Sequence, residues 1–197
     1  MEINKQKINM RIISGKLKGS TLYLPKDKNT RPLKDMVKES IFNLLTHSNK
    51  IYFKFEGSYI LDLFSGTGSF GLECASRDAK YVNFVEKELN ATQILNKNIE
   101  KFNLKNITKI ITNDVFNEIE KNNFNQSEFN LIFCDPPFQN SKISELINLI
   151  VNKKILKKEG VIILHRSRSA NDKFPTHFKV IEERVYGLSK IIFGKLA

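Results

Sequence analysis

The stretch "YILDLFSGTGSFGLE", residues 59–73, constrains the fold of this chain more than any other. Its first half, "YILDLF", is an apolar run too short for a helix and reads as a buried strand. Its second half turns through Gly66, Gly68 and Gly71 into "SFGLECASR", a helix opened by Ser69. A buried strand leading through glycines into a helix is one βα unit, and repeated units build a parallel sheet covered on both faces.

The following residues keep that rhythm. "YVNFVE" is a second strand, and "ELNATQILNKNIEKF" is a helix carrying Ala91, Ile94, Leu95, Ile99 and Phe102 inward. "ITKIIT" is a third strand, followed by a short helix around Val115 to Ile119. "NLIFC" is a fourth strand, and "SKISELINLIVNK" is an amphipathic helix with Ile143, Leu146, Ile147, Ile150 and Val151 on its apolar face. The tail breaks the pattern. "VIILHR", "FKVIEERVYG" and "SKIIFGK" are three strands with no room for a full helix between the last two, so an antiparallel pair closes one edge. Upstream, "MRIISGKLKGSTLYLP" predicts a hairpin from Met10 to Leu24. "DMVKESIFNLLTH" predicts a helix with Asp35 as its N-cap and Val37, Ile41, Leu44 and Leu45 on one face. The Asn/Lys-rich residues 120–128 read as a loop.

The spacing Gly66-x-Gly68-x-x-Gly71 is the textual form of a dinucleotide-binding turn. Asp62, four residues before the first glycine, argues for a different ligand, because a carboxylate there repels a pyrophosphate and attracts a cation. Glu86 ends the second strand about 20 residues on, where an acidic side chain can take both hydroxyls of a ribose. Asp114 follows the third strand and can hold an adenine amine. These carboxylates share the edge where open α/β sheets bind ligands. The ligand they imply carries an ammonium, a sulfonium, a ribose and an adenine: S-adenosyl-L-methionine. Phe64 and the glycines Gly66 and Gly68 complete the expected cofactor set.

The fourth strand ends in "DPPF", residues 135–138. Consecutive prolines cannot continue a sheet ladder, so Pro136 and Pro137 stop the strand in a stiff, extended turn. Asp135 and Phe138 then stand at the two ends of a rigid corner, suited to presenting a carboxylate and a ring to one flat object.

Charge points to the class of that object. Thirty-two Lys and Arg against 21 Asp and Glu give a net charge of +11. Residues 1–50 hold eleven Lys/Arg and four Asp/Glu, a net +7 in a quarter of the chain. Such a surplus implies a polyanionic partner, nucleic acid before an anionic membrane. Length and a hydrophobic content of 41% fit one domain with a proper core and a small appendage. Cys74 and Cys134 form no CxxC and read as reduced core thiols of a cytosolic protein. The start has no apolar region typical of a secretory signal, and no run approaches the roughly 18 apolar residues of a membrane span. His47, His165 and His177 are too scattered for a metal set, so no metal is expected.

With these residues placed, the chain resembles Rossmann-like methyltransferases whose fourth strand ends in Asp/Asn/Ser-Pro-Pro-aromatic. More narrowly it is similar to the bacterial family that methylates the N2 amine of one guanine in 16S ribosomal RNA. "MRIISGKLKG", "TRPLKDMVKESIFNLL", "LDLFSGTGSFGLE", "FVEKE" and "DPPF", in that order, carry the resemblance from Met10 onward. Residues 1–9 precede the family's usual start, and Met10 is a candidate initiator. The resemblance implies an α/β Rossmann-like S-adenosylmethionine-dependent fold, with a seven-stranded, mostly parallel sheet and an antiparallel C-terminal hairpin. It implies a small N-terminal hairpin-helix extension over residues 1–50, touching RNA, and a methyltransferase domain over residues 51–197. It also places Arg31 and Pro32 near the active site. "LHRSRSANDKFP" matches only loosely, and His165 reads as a loop histidine, with a ligand contact as the alternative.

On this reading Asp135 and the Pro136 carbonyl accept the hydrogens of the target amine, Pro137 stiffens the corner, and Phe138 stacks on the splayed-out base. Arg11, Lys16, Lys18, Lys34 and Lys38, with Arg31, grip phosphates around the target. The partner is 16S rRNA or an assembling small subunit, the protein a cytoplasmic monomer that binds no membrane. Three rivals remain open to the sequence: a DNA adenine-N6 methyltransferase, an NAD(P)-dependent oxidoreductase, and a non-catalytic RNA-binding protein.

Overall fold

The computed structural model describes residues 10–25, 33, 35–124, 128–137 and 142–197. Helix α1 spans Asp35–His47, then β1 Tyr59–Leu63, α2 Ser69–Ser76, β2 Tyr81–Glu86 and α3 Leu89–Lys101. There follow a 3-10 turn Lys105–Ile107, β3 Thr108–Thr112, α4 Val115–Lys121, β4 Phe129–Cys134 and α5 Ile143–Asn152. The chain closes with β5 Leu156–Ser167, β6 Phe178–Tyr186 and β7 Ser189–Leu196. One seven-stranded sheet has the order β3-β2-β1-β4-β5-β7-β6. Strands β1 to β5 pair in parallel, while β7 runs antiparallel to both β5 and β6. The seven-stranded Rossmann-like sheet with its antiparallel C-terminal hairpin is therefore present as expected.

Strand alternation divides the core into two layers. Ile60, Val82, Phe84, Leu131, Phe133, Val161 and Ile163 face α2, α3 and the N-terminal elements. Leu61, Leu63, Val85, Ile132, Cys134, Ile162 and Leu164 face α4 and α5. Both cysteines are buried and free, and burial raises both thiols above their ordinary range. Strand order reverses between β1 and β4, so their carboxyl ends diverge and open the crevice where such sheets take ligands. The glycine turn follows β1 and the Asp-Pro-Pro corner follows β4. Both candidate motifs thus lie at this switch point.

The N-terminal segment packs into the first layer rather than standing apart. Ile12 pairs with Ser20 and Gly19, and Leu22 with Met10, closing the expected hairpin around one Arg11–Thr21 bridge. Its backbone is clamped to α2. The Glu73 carboxylate accepts from the amides of Ile13 and Ser14 at 2.7 and 2.9 Å, and the Ser76 carbonyl accepts from Lys16 at 2.8 Å. A Cβ on Gly15 would lie 1.9 Å from that carbonyl oxygen, at a φ of +80°. Gly15→Ala is accordingly expected to pry the hairpin loose, costing about 2 kcal/mol from backbone strain and steric conflict. Urea denaturation checks this, and a change near zero would show that the clamp contributes nothing.

Helix α1 departs from expectation on its inner face. Val37, Ile41 and Leu45 are buried as anticipated, but Lys38 and Phe42 join them and Leu44 is only half-buried. Asp35 is the first helical residue rather than the cap. Phe42 stacks on Phe70 of α2, and Phe70 stacks on Phe133 of β4 with centroids 3.9 Å apart. These three rings outweigh a Leu44-centred face. Ile94 and Val151 are likewise half-buried on their helices.

Candidate active site

The turn after β1 is tight because three residues within five adopt left-handed backbone: Phe64 at φ 59°, Gly66 at 53° and Gly68 at 83°. A non-glycine residue in that region is strained by about 1 kcal/mol or more. Gly68 has a second reason to lack a side chain, since a Cβ would lie 2.3 Å from Leu95. Beside Gly66 the same construction meets nothing within 4 Å, so this part of the turn is open to a ligand. Glu86 ties the turn to β2: Oε2 accepts from the Gly66 amide at 2.8 Å and Oε1 from the Glu88 amide at 2.9 Å. A carboxylate has about four lone-pair sites, so Glu86 retains capacity for hydroxyl donors. Asp114 lies two residues beyond β3 and caps α4, its Oδ1 accepting from the amides of Phe116 and Asn117. Asn98 of α3, unforeseen, joins hairpin to turn through the Tyr23 amide and carbonyl and the Thr67 carbonyl.

Asp62 lies beneath the turn, buried, with Oδ2 accepting from the Gly71 amide at 2.9 Å. Its Oδ1 is buried and accepts no hydrogen bond among the described residues, and neither does the buried Ser65 Oγ. Burial pushes the Asp62 carboxyl well above its usual range; the Gly71 bond offsets part of this, while the charges of Asp135 and Glu86 add to it.

At the corner after β4, the Asp135 amide donates to the Leu63 carbonyl at 3.3 Å, which fastens it alongside the glycine turn. Pro136 is buried and Pro137 exposed. Asp135 Oδ1 lies 2.7 Å from His165 Nδ1, and His165 Nε2 lies 2.9 Å from Ser189 Oγ. His165 is a strand residue only 6% exposed, because β5 runs through Ser167: the strand predicted at "VIILHR" holds and the loop reading of His165 does not. Parallel register carried the missed signal. Cys134 pairs with Leu164, so the residues that follow them stand side by side. Phe138, Arg31, Pro32 and Lys34 lie outside the described residues.

The basic candidates divide. Arg11, Lys16 and Lys18 are exposed, with Arg11 beside Asp35 at 3.7 Å and Lys16 paired to Asp78. Lys38 does not belong with them. It is 0% exposed, and its ammonium donates to the Arg11 carbonyl at 2.7 Å and Ser69 Oγ at 3.1 Å. Burial lowers its proton affinity, with Glu73 and Asp35 partly opposing that shift. An ammonium enclosed between hairpin, α1 and α2 is a structural tie and cannot meet a phosphate.

The family model described as conserved hypothetical protein 95 matches residues 10–195. The chain belongs to this family. Among its similar proteins, the ribosomal RNA small subunit methyltransferase D of Buchnera aphidicola (subsp. Acyrthosiphon pisum) is 30% identical over 174 residues, covering 88% of this chain and 86% of that one. A Bacillus subtilis protein provisionally named rRNA methyltransferase YlbH is 33% identical over 159 residues, 81% of this chain and 83% of its own. The solved structure of yhhF from Escherichia coli, provisionally described as a methyltransferase, superposes with a TM-score of 0.79. Its identity is 26%, covering 95% of this chain and 98% of that one.

The relatives are named as methyltransferases, and S-adenosylmethionine is the methyl donor. The donor set suits it. A cationic ligand would relieve the crowding of Asp62, Glu86 and Asp135, and the unpartnered Asp62 Oδ1 is a buried acceptor awaiting a positive or donating group. A pyrophosphate would aggravate the same crowding, which disfavours the nicotinamide rival.

Proposed function

We propose that this protein transfers a methyl group to the exocyclic N2 amine of one guanine in small-subunit ribosomal RNA, on 16S rRNA or a partly assembled subunit. The observation that carries this reading is the placement of the Asp135 corner against the carboxyl end of β1, on the rim where Asp62 and the glycine turn gather. The relatives' names supply the rRNA class. Asp62, Phe64, Gly66, Gly68, Glu86 and Asp114 would hold S-adenosylmethionine, with Glu86 on the ribose and Asp114 toward the adenine. Arg31 and Pro32 join this set by family resemblance alone. When bound, the cofactor supplies an electrophilic methyl on a sulfonium that departs as a neutral thioether.

A guanine N2 amine is a weak nucleophile because its lone pair is spread into the ring. Asp135 accepts one of its hydrogens and the Pro136 carbonyl the other. The nitrogen is drawn toward tetrahedral geometry, which frees the lone pair to form the new N–C bond. Pro136 and Pro137 keep those acceptors fixed, so little reorganisation is needed during reaction. The methylated nitrogen is acidic and releases its proton to Asp135 or solvent. Phe138 stacks on the base, a contact worth about 1–3 kcal/mol. Residues 1–50 form the RNA-contacting extension and residues 51–197 the transferase domain. Arg11, Lys16, Lys18, Lys34 and Arg31 meet phosphates, in a cytoplasmic, monomeric protein. Among the described residues no helix is long and apolar enough to cross a membrane.

The deciding experiment offers tritiated S-adenosylmethionine with 16S rRNA, assembled small subunits and duplex DNA, and identifies the modified nucleoside by mass spectrometry. N2-methylguanosine in rRNA is expected, with binding that weakens steeply as salt rises. N6-methyladenine in DNA would establish the rival substrate instead.

A further inference from the structure

We propose that His165 is a positioning residue that aims the Asp135 carboxylate at the target amine, itself held by Ser189; this rests on the methyltransferase reading above. Three strands bring the groups together. Leu164 of β5 is in parallel register with Cys134 of β4, so His165, still within β5, and Asp135, just past β4, stand as neighbours. On the other side β7 runs antiparallel, with Ile191 opposite His165 and Ser189 two residues along, hence on the same face. The antiparallel C-terminal strand, which supplies no cofactor contact in the reading above, thereby delivers a hydroxyl to the active-site edge.

The chemistry of this chain of contacts fixes its polarity. An ionised carboxylate only accepts, so the Nδ1 nitrogen 2.7 Å from Asp135 Oδ1 must carry hydrogen. In the tautomer with its single hydrogen on Nδ1, Nε2 is left to accept from the Ser189 hydroxyl 2.9 Å away. Free neutral imidazole favours the opposite tautomer, so the two contacts together impose an arrangement the ring would not choose alone. The terminal torsion of an aspartate is broad and nearly two-fold, and an untethered Asp135 would present either oxygen at varied angles. His165 is enclosed while the Asp135 side chain remains 25% exposed. The imidazole therefore takes Oδ1 on the protein side and leaves Oδ2 to meet the substrate.

A buried histidine that merely fills space would show none of this polarity, and two variants separate the cases. The amide of asparagine reaches roughly the position of Nδ1, that of glutamine roughly the position of Nε2. His165→Gln, which abandons Asp135, is expected to lower kcat about tenfold or more, with RNA KM and cofactor Kd within about twofold of wild type. His165→Asn, which keeps a donor toward Asp135, should restore kcat to within about threefold. Full turnover in the glutamine variant overturns the proposal, as does an equal loss in both variants accompanied by an equal loss of thermal stability. Nitrogen-15 NMR of the imidazoles gives a readout independent of substrate. The ring signal that disappears in His165→Gln should report hydrogen on Nδ1 in wild type and move to the Nε2-protonated form in Asp135→Ala. Hydrogen on Nε2 in wild type sinks the proposal whatever the enzyme methylates. The expected tautomer in a protein that leaves rRNA unmethylated would refute the rRNA reading and uphold the Asp135–His165 geometry.

Discussion

Asp135→Ala is expected to cut methyl transfer by about 10²–10³-fold, the usual consequence of removing a preorganised hydrogen-bonding group from the reacting centre. S-adenosylmethionine affinity should stay within about twofold, because the proposed cofactor contacts come from β1, β2, the turns after them, Asp114 beyond β3 and the Arg31-Pro32 segment rather than from the β4 corner. The loss arises because one hydrogen of the target nitrogen would go unclaimed, leaving its lone pair largely delocalised even with base and cofactor both bound. Single-turnover methylation measures the first quantity and calorimetric titration the second. Turnover at the wild-type rate would end the mechanism proposed for this corner, and loss of cofactor binding would move Asp135 into the cofactor pocket.

Asp62→Asn is expected to act in opposite directions on the free protein and on its complex. In the free protein the Asp62 carboxyl is buried, accepts from the Gly71 amide alone among the described residues, and faces the charges of Asp135 and Glu86. Its proton affinity is raised in the folded state, so folding stability falls as pH climbs from the ordinary carboxylate range through that elevated value. Asparagine removes the charge and keeps an oxygen for Gly71. Its thermal midpoint at neutral pH should rise by roughly 2–4 °C, corresponding to about 1 kcal/mol for a chain of this size. Cofactor affinity should drop by about 10- to 100-fold, the worth of a charge-assisted hydrogen bond. Differential scanning calorimetry with and without S-adenosylmethionine reads both effects. A variant less stable when free and equally tight for the ligand would mean that Asp62 serves the fold alone.

Residues 59–137 are the most legible part of the chain. Alternating strand and helix periods give the parallel sheet, and the glycine spacing and the two prolines by themselves mark both turns at the switch point. The features that escape a linear reading are those decided by contacts between distant segments. Nothing local distinguishes Lys38 from the exposed Lys16 and Lys18; its burial depends on the Arg11 carbonyl and Ser69 enclosing the ammonium. Glu73 is likewise buried by a contact between distant segments, its carboxylate taking the hairpin amides of Ile13 and Ser14. His165 needs strand register, since neighbouring parallel strands place residues 135 and 165 together although 30 positions separate them. Ser189 needs the added fact that β7 inserts between β5 and β6.

The aromatic column from Phe42 through Phe70 to Phe133 makes α1 and the strand leading to Asp135 parts of one cooperative body. A fragment starting after α1 would uncover the column midway and leave large apolar rings in water. Helix α1 therefore cannot be treated as a detachable tag: exchanging it between relatives requires exchanging its inner face and the underlying sheet together.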